Sequence, residues 1–106
     1  MAAKNINAKQ YEELILGSKP VMVDFWAPWC GYCRRLNPIY DIISQQYADS
    51  IEVVKINIDE EEQLADELGI EIIPALIMFK NGRAADHAVN PQSKAEIDRF
   101  ISNSLE

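Results

Sequence analysis

Three short apolar runs, separated by stretches with helical periodicity, constrain the fold of this chain more than any other feature. Residues 21–26, 51–58 and 75–79 are rich in β-branched and aromatic side chains, which is typical of strands buried in a sheet. Between these runs, apolar side chains recur every three or four residues, as on one face of an amphipathic helix. Strands that alternate with helices predict parallel crossover connections within one sheet.

The C-terminal part of the chain departs from this alternation. Asn81-Gly82 is a strong hairpin signal, because both central positions of such a turn require positive φ, and it predicts an antiparallel strand over 83–89. With helices near both termini, the predicted order is α, β, α, β, α, β, β, α, and we expect Asp59 to cap the third helix. The predicted fold class is α/β, with a central mixed β-sheet flanked by helices on both faces.

Length and charge narrow the function classes. The 106 residues fit one domain, 1–106, and the formal net charge of -7 disfavours nucleic acid, which needs clustered Lys and Arg. The segment 1–7 lacks the apolar core of a secretion signal, and no apolar run approaches the length of a membrane span. We therefore expect a cytoplasmic protein with no membrane or nucleic-acid partner, and a monomer.

The sharpest chemical signal is a pair of cysteines two residues apart, Cys30 and Cys33, between a predicted strand and a predicted helix. A cysteine at a helix N-terminus has a lowered thiol pKa, and the spacing brings both sulfurs within disulfide reach. A zinc site is a weaker alternative, because four ligands are needed and His87, predicted to face solvent, is the only histidine. Haem attachment would need a histidine where Arg34 stands, and a structural disulfide closing so small a loop would add little stability.

These residues lie in a longer run that is similar to a known family. The run 23–33, VDFWAPWCGYC, resembles the active-site signature of the thioredoxin family, and 72–75, IIPA, resembles its Ile-cis-Pro loop. Segments 55–59 and 79–82 also match family segments, so the resemblance covers nearly the whole chain. It implies a thioredoxin fold and a protein-disulfide reductase with no bound cofactor beyond a redox-active disulfide. It also implies disulfide-containing protein substrates and a thioredoxin-reductase-like electron donor.

The resemblance implies a role for each of five residues. Cys30 matches the nucleophile and Cys33 the resolving cysteine, while Asp24 matches a buried acid that exchanges a proton with the resolving thiol. Lys55 matches the buried partner of that acid, and Pro74 matches the cis-proline facing the disulfide. A carboxyl group inside an apolar strand should have a raised pKa. Two alternatives stay open, an ordinary structural acid at Asp24 and a trans strand-entry proline at Pro74.

The same resemblance implies a substrate-binding surface around the cysteines. This surface includes an apolar patch formed by Trp29, Ile58, Ile73 and Val89. It also includes Gly31 and Tyr32, between the cysteines, and Asn90, which follows Val89. Lacking an N–H, the proline leaves the adjacent Ile73 backbone groups free to pair with an extended substrate. Trp26 is predicted to support the core instead.

Three positions depart from the family pattern. Tyr32 stands where most thioredoxins have proline and adds an N–H near the Cys30 sulfur, which predicts a more oxidising potential than the usual motif gives. Asn90 stands where the family usually has glycine, and Glu71 adds negative charge near the proline loop. Both changes predict a narrower range of partners. The alternatives to a reductase are an oxidase or isomerase, and a non-enzymatic binding module built on the same fold.

Overall fold

The computed structural model describes residues 3–106, and its centre is a five-stranded mixed sheet. The strands are β1 (Lys4–Asn5), β2 (Val21–Trp26), β3 (Glu52–Asn57), β4 (Ala75–Lys80) and β5 (Arg83–Val89). Their spatial order is β1-β3-β2-β4-β5. The pairs β1–β3 and β3–β2 are parallel, and the pairs β2–β4 and β4–β5 are antiparallel.

Four helices cover both faces of this sheet, which confirms the predicted fold class. They are α1 (Ala8–Ile15), α2 (Gly31–Gln46), α3 (Glu62–Glu67) and α4 (Lys94–Ser104). Helices α2 and α4 share one apolar core with Met22, and helices α1 and α3 share another with Val23. Adjacent residues of β2 therefore point to opposite faces, as the period of a strand requires. Within residues 3–106, no helix is long and apolar enough to cross a membrane.

Local signals explain most element boundaries. Asn7 caps α1 through a reciprocal capping box with Gln10. Asn81 and Gly82 have φ values of 56° and 78°, as the hairpin signal predicts. The expected cap of α3 is wrong: the helix begins after Glu61, without a side-chain cap. The two-residue strand β1 was not predicted from the sequence.

The topology brings four chain connections to one edge of the sheet. Because β2 and β3 are parallel, their C-terminal ends lie together at this edge. Because β4 runs antiparallel to β2, and β5 to β4, strand β4 begins at the same edge and β5 ends there. The connections after β2, after β3, before β4 and after β5 therefore meet at what we call the active edge.

Candidate active site

Cys30 is the N-cap residue of α2, as the strand-to-helix pattern predicts. Its backbone is extended, with φ -89° and ψ 111°, and its Sγ accepts a hydrogen bond from the Cys33 amide at 3.2 Å. The Cys30 amide donates to the Ala27 carbonyl at 3.1 Å, which turns the chain from β2 into the helix. Free amides and the helix dipole at this position favour a thiolate on Cys30. Among residues 3–106, the amide hydrogen-bonded to this sulfur is that of Cys33 and not that of Tyr32.

The two cysteines form a disulfide whose halves differ in exposure. Their Cα atoms are 5.2 Å apart, within the usual range for a disulfide. Cys30 is 7% exposed, whereas Cys33 is fully buried. Ala27 and the partly buried Ile58 and Ile73 pack around the pair. Cys30 is therefore the half of the disulfide that a partner reaches first.

Asp24 is a fully buried carboxyl group on the face of the sheet that α2 covers. Met22, two residues earlier in β2, packs against α2, and the alternation of the strand places Asp24 on the same face. Neither carboxylate oxygen has a hydrogen-bond partner among the residues described. Burial raises the pKa of Asp24 from 3.8 to about 7, against a smaller lowering by the Lys55 charge. This confirms the expected direction for a carboxyl group inside an apolar strand.

Lys55 lies directly beside Asp24 in the neighbouring strand. The two residues are register partners in the parallel pair β2–β3, and Lys55 is only 9% exposed. Its ammonium group is held by two other contacts, a hydrogen bond to Asn37 Oδ1 at 3.3 Å and the Trp26 ring at 4.9 Å. Sequence reasoning missed Asn37, although it follows Cys33 by four residues and so lies on the same face of α2.

The loop before β4 carries Pro74 to the active edge. The Ile73–Pro74 peptide bond is cis. The Pro74 carbonyl accepts a hydrogen bond from the Asn90 amide at 2.7 Å, which joins this loop to the end of β5. The Ile73 carbonyl oxygen lies 3.9 Å from Cys30 Sγ. Within residues 3–106, neither the amide nor the carbonyl of Ile73 pairs with another backbone group. An extended peptide can therefore pair with Ile73 beside the disulfide.

Exposed apolar side chains surround the disulfide and form what we call the rim. Trp29 is 65% exposed, Ile72 is 62% exposed, and Val89 and Tyr32 are about half exposed. The Trp29 indole donates to both carboxylate oxygens of Asp59, at 3.2 and 3.0 Å, and Asp59 stands two residues before Glu61, the residue at the N-cap of α3. Ile72 was missed because the sequence places it in an apolar run that reads as core.

The rim also contains a small cleft between the start of α2 and the loop after β5. Its volume is about 80 Å³, and Tyr32, Arg35, Asn90 and Gln92 are among the residues that line it. Asn90 has a φ of 48°, a left-handed conformation that glycine adopts freely and asparagine tolerates. Asn90 lines this cleft, and the expectation that its side chain narrows the groove stays a prediction.

Two further residues that the sequence analysis named, Gly31 and His87, are both exposed. Gly31 is exposed, and a Cβ added there would meet no atom within 4 Å, so its backbone lies open to a partner. His87 is exposed on the edge strand β5, as expected. It lines a groove of about 560 Å³ between β5 and the loop before β4, which Ile72 and Val89 of the rim also line. Within residues 3–106, no three His, Cys, Asp or Glu side chains are grouped to hold a metal ion.

Comparisons with known proteins agree with this geometry. The family model Thioredoxin matches residues 2–103. Thioredoxin 1 of Synechococcus elongatus is 42% identical over 105 residues, which cover 99% of this chain and 98% of that protein. Thioredoxin of Synechocystis sp. is 43% identical, with 98% of each chain covered. The crystal structure of Malassezia sympodialis thioredoxin superposes with a TM-score of 0.89 at 31% identity, over 99% of this chain and 92% of that one. The chain belongs to the thioredoxin family, has its fold, and is a thiol–disulfide oxidoreductase.

Proposed function

We propose that the protein reduces disulfides of other proteins, with Cys30 as nucleophile and Cys33 as resolving thiol. The Cys30 thiolate attacks one sulfur of the substrate disulfide, forms a mixed disulfide and releases the other sulfur as a thiolate, which takes up a proton. The Cys33 thiol loses its proton and attacks Cys30 Sγ, which breaks the mixed disulfide and releases the second substrate thiol. Two electrons pass to the substrate, and the Cys30–Cys33 disulfide remains.

The observation that carries this assignment is the asymmetry between the two cysteines. Cys30 caps a helix, accepts an amide hydrogen bond and is 7% exposed, while Cys33 is fully buried. A helix N-terminus stabilises a thiolate, and an approaching disulfide meets Cys30 first. Cys33 is placed to attack only after Cys30 has formed the mixed disulfide.

Asp24 is proposed to accept the Cys33 proton during resolution. A general base works best with a pKa near the operating pH, and the pKa of Asp24 is raised by burial to about 7. Its side chain lies on the face covered by α2, the helix that carries Cys33. Lys55 is proposed to limit the rise of this pKa through its positive charge.

Substrates are proposed to dock as extended segments across the rim. The unpaired backbone groups of Ile73 offer strand-like pairing, and Trp29, Ile58 and Val89 offer apolar contacts on either side of the disulfide. A thioredoxin-reductase-like electron donor would reduce the Cys30–Cys33 disulfide of the oxidised protein back to the dithiol. We expect it to work as a monomer in the cytoplasm, a compartment that keeps such dithiols reduced.

Reduction of insulin by dithiothreitol tests this proposal. The wild-type protein should accelerate the reaction strongly, and Cys30→Ser should abolish the acceleration while remaining folded by circular dichroism. Ser18→Ala, at an exposed position remote from the active edge, is the matched control and should behave as wild type. A folded wild-type protein that fails to accelerate insulin reduction would contradict the proposal.

A further inference from the structure

Charge is distributed unevenly along the active edge. The strand order β3-β2-β4-β5 places Asp59 at one end of this edge and Asn90 at the other, with the cysteines between them. Asp59 and the adjacent Glu60 are exposed at the β3 end. The start of α2, facing the β5 end, carries two exposed arginines in succession, Arg34 and Arg35. A partner that crosses the edge therefore meets two acids at the β3 end and two arginines beside the start of α2, with Glu71 exposed in the loop before β4.

Arg35 is the free cation of this pair. The Arg34 guanidinium donates to the Pro28 carbonyl at 2.9 Å, which ties it to the loop before α2. The Arg35 guanidinium carbon lies 5.0 Å from the centroid of the Tyr32 ring, a cation–π contact made by their spacing of one helical turn. Within residues 3–106, no carboxylate oxygen lies within the 4.0 Å of an ion pair with Arg35.

The cleft beside Arg35 is lined by both apolar and polar residues, with Leu36, Ile39 and Pro91 beside Asn90 and Gln92. Gln92 donates its side-chain amide to the Asn90 carbonyl at 2.9 Å, and its backbone amide to the Glu96 carboxylate at 2.9 Å. No acidic residue lines the cleft among residues 3–106, and the Glu96 carboxylate beside it is engaged by the Gln92 backbone amide. The guanidinium consequently has unused donors facing a cleft of about 80 Å³, close to Cys30 along the first turn of α2.

We propose that this cleft is a subsite for an acidic side chain, Asp or Glu, of the substrate protein, located within a few residues of its reacting cysteine. The inference rests on the reductase function proposed above. Arginine presents a planar fork of N–H donors that matches a carboxylate, and stacking on Tyr32 reduces the freedom lost on binding. Because an extended chain advances about 3.3 Å per residue, a docked segment reaches the cleft roughly two to four residues from its cysteine.

The test uses synthetic peptides whose single cysteine carries a 2-thiopyridyl disulfide. The Cys30 thiolate attacks the peptide sulfur, forms a mixed disulfide and releases 2-thiopyridone, which takes up the proton and is followed by its absorbance. The peptides form pairs that carry either Glu or Lys at one of the four positions on each side of the cysteine. The rate of each Glu peptide divided by that of its Lys counterpart is the Glu/Lys rate ratio at that position. The net charge of -7 favours Lys in general, and Asp59 and Glu60 add to this preference at positions near the β3 end. The subsite raises the Glu/Lys rate ratio at one or two positions near the β5 end, by about threefold at low salt.

Variants locate the effect at Arg35. In Arg35→Gln the position-dependent increase in the Glu/Lys ratio should disappear, and in Arg35→Glu it should invert. Arg83→Gln makes the same charge change at the opposite end of β5 and should leave the ratio unchanged. Equal ratios at all positions in the wild type, or an equal loss in Arg83→Gln, would overturn the subsite. If the wild-type protein released 2-thiopyridone from no peptide faster than the Cys30→Ser protein does, the proposed function itself would be overturned.

Discussion

The buried half of the site and its exposed rim perform different tasks with different physics. Asp24 and Lys55 in the sheet and Cys33 in α2 are at most 9% exposed, while Trp29 and Tyr32 are more than half exposed. Desolvation in the buried half moves a carboxyl pKa to about 7. On the rim, contacts with water and salt weaken each charge, and individual interactions are worth about 1 kcal/mol or less. We therefore expect the buried residues to govern proton transfer and the exposed residues to govern partner choice.

The largest expected effect is on stability, at Asp24. The pKa of Asp24 in the folded protein exceeds its value in the unfolded chain. The contribution of Asp24 to the free energy of unfolding is therefore most favourable below about pH 4 and falls as the pH rises from 4 to 7. The rise in pKa from 3.8 to about 7 corresponds to about 4 kcal/mol above pH 7. Asp24→Asn should therefore raise the free energy of unfolding at pH 8 by up to about 4 kcal/mol, and by much less at pH 4.

Urea denaturation at the two pH values measures this difference. Asp49→Asn removes an exposed carboxylate and serves as the matched control, with an expected change within about 0.5 kcal/mol. An Asp24→Asn protein that gains no more stability at pH 8 than at pH 4 would show that this carboxyl group is not destabilised by burial.

The same substitution should slow the resolution step. Without a carboxylate to accept the Cys33 proton, release of a peptide from its mixed disulfide with Cys30 should slow by about 10²-fold at pH 7. The wild-type resolution rate should rise with pH through the region of the Asp24 pKa, near 7, and this rise should vanish in Asp24→Asn. Stopped-flow measurement of peptide thiol release gives both quantities. An unchanged pH profile would remove Asp24 from the proposed mechanism.

A smaller effect is expected at Tyr32, the rim residue that directly precedes Cys33 in the sequence. The predicted reduction potential lies above the approximately -270 mV of thioredoxin and well below the approximately -120 mV of DsbA. Since the Tyr32 amide does not bond Cys30 Sγ directly, its effect comes through the dipole at the helix start. Tyr32→Pro should lower the potential by about 5 to 20 mV in a glutathione buffer. A wild-type potential below that of thioredoxin, or a rise in Tyr32→Pro, would be inconsistent with this role.

The smallest effect is expected at Asn90, on the rim. Glycine adopts its φ of 48° without strain, so Asn90→Gly should keep the fold while widening the groove. The rates of reaction with a thioredoxin reductase, and with disulfide substrates of ordinary thioredoxins, should increase, by less than about fivefold. Steady-state rates on several such proteins provide the measurement. Identical rates for both forms would show that this side chain does not narrow partner range.

The buried half was more predictable from sequence than the rim. Cys30 at a helix start and Asp24 inside an apolar strand each follow from local chemistry. The rim depends on contacts between distant segments, which no local pattern specifies. Asp59 carries a helix-capping side chain, yet its carboxylate is bound by an indole from 30 residues away.

Short and context-dependent features were also beyond sequence reasoning. Strand β1 has two residues, Lys4 and Asn5, both exposed, and exists only by pairing with β3. Ile72 looks like core in the sequence but is 62% exposed because the loop before β4 turns it outward. The Tyr32–Arg35 stack had a detectable signal, a spacing of three residues within a predicted helix.

Trapping of the mixed disulfide tests the central claim, the division of labour between the cysteines, most directly. Reduced Cys33→Ser and Cys30→Ser proteins are each mixed with oxidised insulin, and covalent adducts are quantified by mass spectrometry without reductant. The account predicts a stable adduct through Cys30 in Cys33→Ser and almost none in Cys30→Ser, since Cys33 is buried and lacks the helix-cap position. Equal adduct formation by the two variants, or more through Cys33, would contradict it.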